Sequence, residues 1–373
     1  MSNRDCIKNS KRWVIKIGSA LLTADGNGLD IKAIALWVKQ IVQQLDDGVE
    51  IIIVSSGAVA EGMSRLNLSD RPTSVSGLQV AAAVGQTGLV EAYESQFRKH
   101  GRNTAQILLD HDDISNRERY LNVRNTLQEL IKLGIVPVIN ENDTVATEQI
   151  RFGDNDTLAA LVANLIDADL LVILTDQEGL FDSDPQKLLD AKLISSGSSE
   201  DESLYKFAGS SGVLGRGGMI TKLKAAKLAA RSGANTVIAS GRVDQILTRL
   251  SNGEVLGTIL TSDKEPIAAR KQWLVGRVKV SGSLTLDSGA SNMLTKYGKS
   301  LLPVGVDNIH GLFYKGDLVK CINEEGIEIA RGLINYSSEE CKKIMGKSSE
   351  MITLELGYCD TEELIHRDNL VLY

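Results

Sequence analysis

Pro137-Val-Ile-Asn-Glu-Asn-Asp-Thr-Val-Ala-Thr-Glu-Gln-Ile-Arg-Phe-Gly-Asp-Asn-Asp156 sets two polar clusters on either side of one short hairpin. The stretch enters as an apolar strand, Ile135 to Ile139, and turns polar at Asn140-Glu141-Asn142-Asp143. It leaves through Gly153-Asp154-Asn155-Asp156, directly before a helical pattern running from Thr157 to Ile166. A solvated acidic turn followed by a capped helix accounts for any one of these residues. Two such clusters carry more carboxylates and side-chain amides than a turn and a cap require, which makes the stretch a candidate site. Asp156 keeps two readings, a helix N-cap or a site carboxylate.

Working outward, the same strand with a polar end recurs. Trp13 to Ile17 ends in Lys16-Ile17-Gly18-Ser19, and Glu50 to Val54 opens into Ser55-Ser56-Gly57. Leu170 to Leu174 ends in Thr175-Asp176. Runs that are apolar at every position suit strands buried on both faces of a parallel sheet. Further strands are expected over 104–109 and 236–239. Between the strands lie helical spacings, such as Ile34, Val38, Ile41 and Leu45, and the amphipathic pattern from Met219 to Arg231. Helices are also expected over 76–99, 116–133 and 243–250. This alternation predicts an α/β fold, with an open, mostly parallel sheet sandwiched by helices. Ligands of such sheets bind beyond the carboxyl ends of the strands, so the four polar strand ends are expected on one rim.

The pattern changes after residue 262. Residues 263–274 are polar and read as a linker, and 275–373 as a second, smaller β-rich domain with a C-terminal tail. Its expected strands are 276–280, 283–286, 318–322 and 328–333, with helices over 290–297 and 338–344. A chain of 373 residues accommodates two such domains. Its net charge of −7 makes nucleic acid an unlikely main partner. Cys6, Cys321, Cys341 and Cys359 form no CxxC pair, and with four histidines there is no zinc spacing and no disulfide framework. No apolar run approaches the length of a membrane span, and the N-terminal residues carry no apolar signal region. The expectation is a cytoplasmic protein with no membrane insertion.

Two glycine-containing stretches suit phosphate. In Lys16-Ile17-Gly18-Ser19, Gly18 lets backbone N–H groups approach an anion beside Lys16. Gly212-Val-Leu-Gly-Arg-Gly-Gly-Met-Ile-Thr-Lys222 runs straight into the Met219 helix, where a helix N-terminus favours an anion. A solvated lysine and a flexible hinge are the plain alternatives. Phosphoryl transfer needs positive charge at both ends of an in-line displacement, which two lysines supply, with Asp156 able to aim them. No Ser-His or Cys-His arrangement with a glycine elbow is present, and no strand end offers a base suited to a hydroxyl. A carboxylate acceptor needs no base, being ionised at neutral pH. Ser56, Asn142, Asp143 and Asn155 form a set that hydrogen-bonds an amino acid, with Asp143 suited to its ammonium.

In order, Lys-x-Gly-Ser, Ser-Ser-Gly-Ala, Val-Ile-Asn-Glu-Asn-Asp, Gly-Asp-Asn-Asp, Leu-Thr-Asp-Gln-x-Gly-Leu and Gly-Gly-Met-x-Thr-Lys resemble the amino acid kinase family, over residues 12–262. The paired Ile-Asn-Glu-Asn-Asp and Phe-Gly-Asp-Asn-Asp motifs resemble the branch acting on glutamate, and 275–355 resembles the PUA domain many of its bacterial members carry. The resemblance implies that residues 1–262 use ATP with Mg²⁺ to phosphorylate the γ-carboxylate of L-glutamate, opening proline biosynthesis. It implies catalytic roles for Lys16, Lys222 and Asp156, and glutamate binding by Ser56, Asp143 and Asn155. ATP would meet Lys16, Thr175, Asp176, Arg216, Gly217, Gly218, Met219, Ile220, Thr221 and Lys222, with no dedicated protein metal site. Arg216 and Ile220 depart from the small residues usual in this loop. Inhibition by proline and a homo-oligomer, dimer or tetramer, are further implications. Two rivals stay open: a kinase of the same fold acting on aspartate or N-acetylglutamate, and an RNA-binding PUA protein with a kinase-like scaffold. The PUA-like tail weighs against the first, and the acidic chain with complete kinase motifs against the second.

Overall fold

The computed structural model describes residues 4–23, 28–145, 154–183, 185, 188, 190–208, 218–262 and 280–373. The chain divides into two compact units, Met1–Ile114 with Arg124–Ala269, and Ser115–Val123 with Arg270–Tyr373. The expected linker, 263–274, lies outside the described residues, as does nearly all of the strand expected at 276–280.

Over residues 4–262, helix α1 (Asp5–Lys8) precedes strand β1 (Arg12–Ile17), α2 (Ser19–Leu22), α3 (Ile31–Asp46) and β2 (Glu50–Ser55). Then come α4 (Ala58–Arg65), α5 (Val75–Arg98), β3 (Thr104–Leu109), α6 (His111–Ser115), α7 (Arg117–Lys132) and β4 (Val136–Glu141). After the hairpin follow α8 (Asn155–Leu165), β5 (Leu170–Thr175), β6 (Ser196–Ser198), α9 (Met219–Ala229), β7 (Asn235–Ser240), α10 (Ile246–Ser251) and β8 (Thr258–Thr261). The strands form one sheet in the order β3-β4-β2-β1-β5-β7-β8-β6. All pairs are parallel except β7 with β8, which is antiparallel.

The central strands have no polar face. Trp13, Ile15 and Ile17 of β1 join a buried cluster with Ile34, Trp37 and Ile41 of α3 and Leu89, Tyr93 and Phe97 of α5. The alternate residues Val14, Ile52, Val54, Leu171 and Ile173 are buried too, and α8 packs against β1 and β5 while α9 packs against β7. Each fully buried aliphatic side chain contributes about 1.5–3 kcal/mol, which explains why these strands are apolar at every position. The strand order runs outward from β1 in both directions, so the sheet's switch point lies at the carboxyl end of β1, where such folds bind ligands.

Three local expectations need correction. Strand β4 continues through Asn140 and Glu141, both buried, so half of the expected polar turn is strand. Helix α8 begins at Asn155, two residues earlier than its apolar pattern suggests. Helix α10 begins at Ile246 rather than 243, because Gln245 adopts a left-handed conformation (φ 51°) that a helix cannot include.

The second unit holds a five-stranded sheet in the order β10-β9-β11-β12-β13. Its strands are β9 (Gly282–Leu286), β10 (Val306–Gly311), β11 (Leu318–Ile322), β12 (Glu328–Leu333) and β13 (Leu370–Leu372). Leu284, Leu286, Phe313, Val319, Ala330 and Tyr336 centre its own core. Helix Ser338–Ile344 starts from a reciprocal capping box between Ser337 and Glu340. Cys321 and Cys341 are buried in this core, and burial pushes both thiols up to about 12.

Candidate active site

Lys16 is the next-to-last residue of β1, between Ile15 and Ile17, which point into the α3 and α5 layer. The two-residue period of a strand therefore turns Lys16 to the opposite face, toward α8. The chain then bends at Gly18, whose N–H donates to Leu174 O at 3.1 Å. A Cβ at Gly18 would stand 3.2 Å from that carbonyl, so a side chain there forces the neighbour to give way.

On α8, Asp154 is the N-cap, accepting from the Thr157 N–H at 2.7 Å. The capping role open for Asp156 therefore falls to Asp154, two residues earlier. Asp156 is fully buried in the first turn, and its carboxylate meets two lysines. Lys16 Nζ lies 2.5 Å from Oδ1 in an ion pair. Lys222 Nζ, from α9, donates to Oδ2 at 3.0 Å. The Thr221 hydroxyl is 2.9 Å from the same Oδ2 and 2.7 Å from Gly218 O.

Lys16 is 6% exposed and Lys222 4%. Burial pushes the Lys16 ammonium below its ordinary value, with the charge of Lys222 adding to the effect and that of Asp156 opposing it. Burial alone would raise the Asp156 carboxyl, but the two lysines outweigh it and hold it below the ordinary range. Two ammonium groups against one carboxylate leave a net positive charge beneath the cleft. Desolvating such a group costs several kcal/mol per ion, so stability does not account for it.

The cleft above has a volume of about 560 Å³ and is lined from the ends of β1, β2, β4 and β5 and the start of α8. Its lining includes the ion-paired Lys16, Asp156 and Lys222, with Gly18 after β1 and Thr175 and Asp176 at the end of β5. The Thr175 hydroxyl donates to Asp176 Oδ1 at 3.0 Å. The lining also includes Ser56 and Gly57 after β2, Asn140, Glu141 and Asp143 from the end of β4, and Asn155 and Arg71. Asn155 Nδ2 lies 2.8 Å from Ser56 Oγ, 3.0 Å from Ser55 O and 3.1 Å from Asn140 Oδ1. Asn140 in turn donates to Gln86 Oε1 at 2.9 Å. Gly57 takes a left-handed conformation (φ 98°) that lets β2 turn directly into α4.

Of the residues singled out from the sequence, Lys16, Ser56, Asp143, Asn155, Asp156, Thr175, Asp176 and Lys222 line this one cleft. Thr221 reaches it through Asp156. Gly218 is the N-cap of α9, and Met219 and Ile220 form its half-buried first turn outside the lining. Arg216 and Gly217 lie outside the described residues, as does most of the hairpin over 144–151. Arg71 was not singled out as a site residue, and Asn140 entered only as part of the polar cluster 140–143. Asn140 sits inside the polar cluster, where only its pairing with Asn155 separates it from a turn residue. Arg71 stands in a polar loop with no periodic signal, and only the fold brings it to the cleft. Among the described residues no group of three or more acidic, His or Cys side chains is arranged to hold a metal ion.

A parallel sheet that buries two lysines on one aspartate at its switch point is organised for phosphoryl groups, and the comparisons agree with that class. The amino acid kinase family model matches residues 11–240, and the chain belongs to that family. A PUA domain model matches 282–354. Within the family the chain belongs with the glutamate 5-kinases. It is 58% identical over 372 residues to the glutamate 5-kinase of Saccharophagus degradans, covering 100% of each chain. It is 60% identical over 370 residues to that of Pseudomonas syringae pv. tomato, covering 99% of this chain and 100% of the relative. The Chromohalobacter salexigens enzyme is 57% identical over 371 residues, covering 100% and 98%.

Proposed function

We propose that the cleft transfers the terminal phosphoryl group of ATP to the γ-carboxylate of L-glutamate, giving L-glutamyl 5-phosphate and ADP, the opening step of proline biosynthesis. The observation that carries this reading is the buried pair of lysines on Asp156 beneath a cleft whose other end suits an amino acid.

A γ-carboxylate oxygen attacks the terminal phosphorus, and the bond to the leaving oxygen of ADP breaks. Glutamate is ionised at neutral pH and needs no general base, and the described lining offers no histidine to act as one. Lys16 and Lys222 face the charge that spreads over the transferring group, and Asp156 sets their spacing. Asp143 suits the α-ammonium, while Asn155, held by Ser56 and Asn140, orders the amino-acid end. Thr175, Asp176 and the start of α9 suit the nucleotide. Magnesium would be bound chiefly through the nucleotide phosphates and water, with few protein ligands, as is usual for it. When bound it neutralises phosphate charge.

Proline carries the α-carboxylate and amine of glutamate, which supports inhibition by proline at the amino-acid end. Four free thiols support a reducing cytoplasmic setting. Lys222→Ala is expected to lower kcat by about 100-fold or more with little change in the KM for glutamate, because it acts on developing charge. Asp143→Ala is expected to raise that KM about tenfold with kcat less affected. Steady-state kinetics check both, and the reverse pattern at either position would reassign that residue.

A further inference from the structure

We propose that Arg71 recognises the α-carboxylate of the amino-acid substrate and so sets specificity at that end of the cleft. The inference rests on the glutamate reading above. Among the described residues three cations line the cleft, Lys16, Lys222 and Arg71. The lysines are buried and share Asp156. Arg71 is exposed, on the loop between α4 and α5, and makes no hydrogen bond or ion pair among the described residues. No structural contact therefore accounts for a guanidinium at this place.

Apart from these cations, the charged residues of the described lining are acidic, with Glu141 and Asp143 at and just beyond the end of β4, beside the Asn140–Asn155 pair. Those carboxylates suit an ammonium and repel a carboxylate. A glutamate whose γ-carboxylate faces the lysines presents both groups of its α-carbon at this end. Something positive must meet the second of them. The first turn of α4 contributes part of that charge. Glu61 is the first residue of the helix to bond back, to Gly57 O at 2.9 Å, so the N–H groups of Ala58, Val59 and Ala60 have no partner within the helix. All three residues line the cleft. Arg71 supplies a full charge in a planar fork that matches a carboxylate. Pro72 follows it and restricts its backbone to extended conformations, which lowers the entropy lost when the side chain engages.

The test compares Arg71→Gln with the intact protein at saturating Mg-ATP, using L-glutamate and 4-aminobutyrate, which is glutamate without its α-carboxylate. The KM for L-glutamate is expected to rise about tenfold, a modest effect for an exposed loop residue, with kcat within about twofold. The inhibition constant of 4-aminobutyrate against L-glutamate is expected to stay unchanged, because it has no α-carboxylate to lose. Arg71→Lys, which keeps the charge without the fork, is expected to recover part of the glutamate affinity. An unchanged KM for L-glutamate would overturn the proposal, as would equal losses for both amino acids or a loss confined to ATP. An intact protein that forms no acyl phosphate from glutamate at all would overturn the glutamate reading itself, a separate outcome read before any variant is compared.

Discussion

Asp156 reaches both lysines because Asp154 caps α8 and leaves the second carboxylate free to turn inward. Charge then decides how the triad responds to pH. Lys16 sits below its ordinary value of 10.5 because burial outweighs the attraction of Asp156. The rate is expected to fall on the alkaline side as Lys16 loses its proton, with an apparent pKa below 10.5. In Asp156→Asn the opposing attraction is gone while burial and the charge of Lys222 remain. The Lys16 pKa therefore drops further, and the alkaline limb of the residual kcat moves to lower pH. A limb that stays in place or moves up in a kcat profile would exclude Lys16 as its source. The stability contribution of Asp156 has the opposite sense. Its folded pKa is depressed, so that contribution is fully present above the unfolded value of 3.8 and is lost as pH falls through the folded one. Each member of the triad was legible in the sequence as a residue at a strand end or a helix start. Their burial against one another was not, because it depends on α8 and α9 packing side by side, α8 over β1 and β5 and α9 over β5 and β7.

Helix α4 is placed by two glycines that allow backbone to meet backbone. A Cβ at Gly62 would stand 1.7 Å from Ala81 O of α5, and one at Gly85 would stand 1.8 Å from Ala58 O of α4. Neither carbonyl is a flexible side-chain end, so a methyl group at either position separates the helices. Gly85→Ala is expected to cost at least about 2 kcal/mol of stability, measured by urea denaturation. Because Ala58 opens the helix whose first turn lines the cleft, the same variant is expected to raise the KM for glutamate more than that for ATP. Full stability with unchanged KM values would contradict this close packing. Most long elements were legible from apolar spacing alone, as α3 and α5 show. Strands β6 and β8 were not, since Ser196–Ser198 has no apolar residue and Thr258–Thr261 spans only four. Strand β10 escaped because only Val306 and Ile309 of its six residues are buried, which breaks the two-residue alternation.

The whole molecule carries a net charge of −7, and its second unit has a separate core. With this acidic balance, the intact protein is expected to show no tight, salt-sensitive retention of tRNA in filter binding, and such retention would favour an RNA-directed role. No helix among the described residues is long and apolar enough to cross a membrane. The division into two units was foreshadowed by the change from long apolar runs to short alternating ones near residue 262. The convergence of four strand ends on one rim followed from the parallel-sheet rule. The arrival of Arg71 did not, since a loop between two helices has no register to read. The central claim is the acceptor, and it is tested most directly by trapping the acyl phosphate with hydroxylamine in the presence of ATP and Mg²⁺. Hydroxamate is expected with L-glutamate, and little with L-aspartate or N-acetyl-L-glutamate. Hydroxamate from aspartate or N-acetylglutamate with none from glutamate would contradict it.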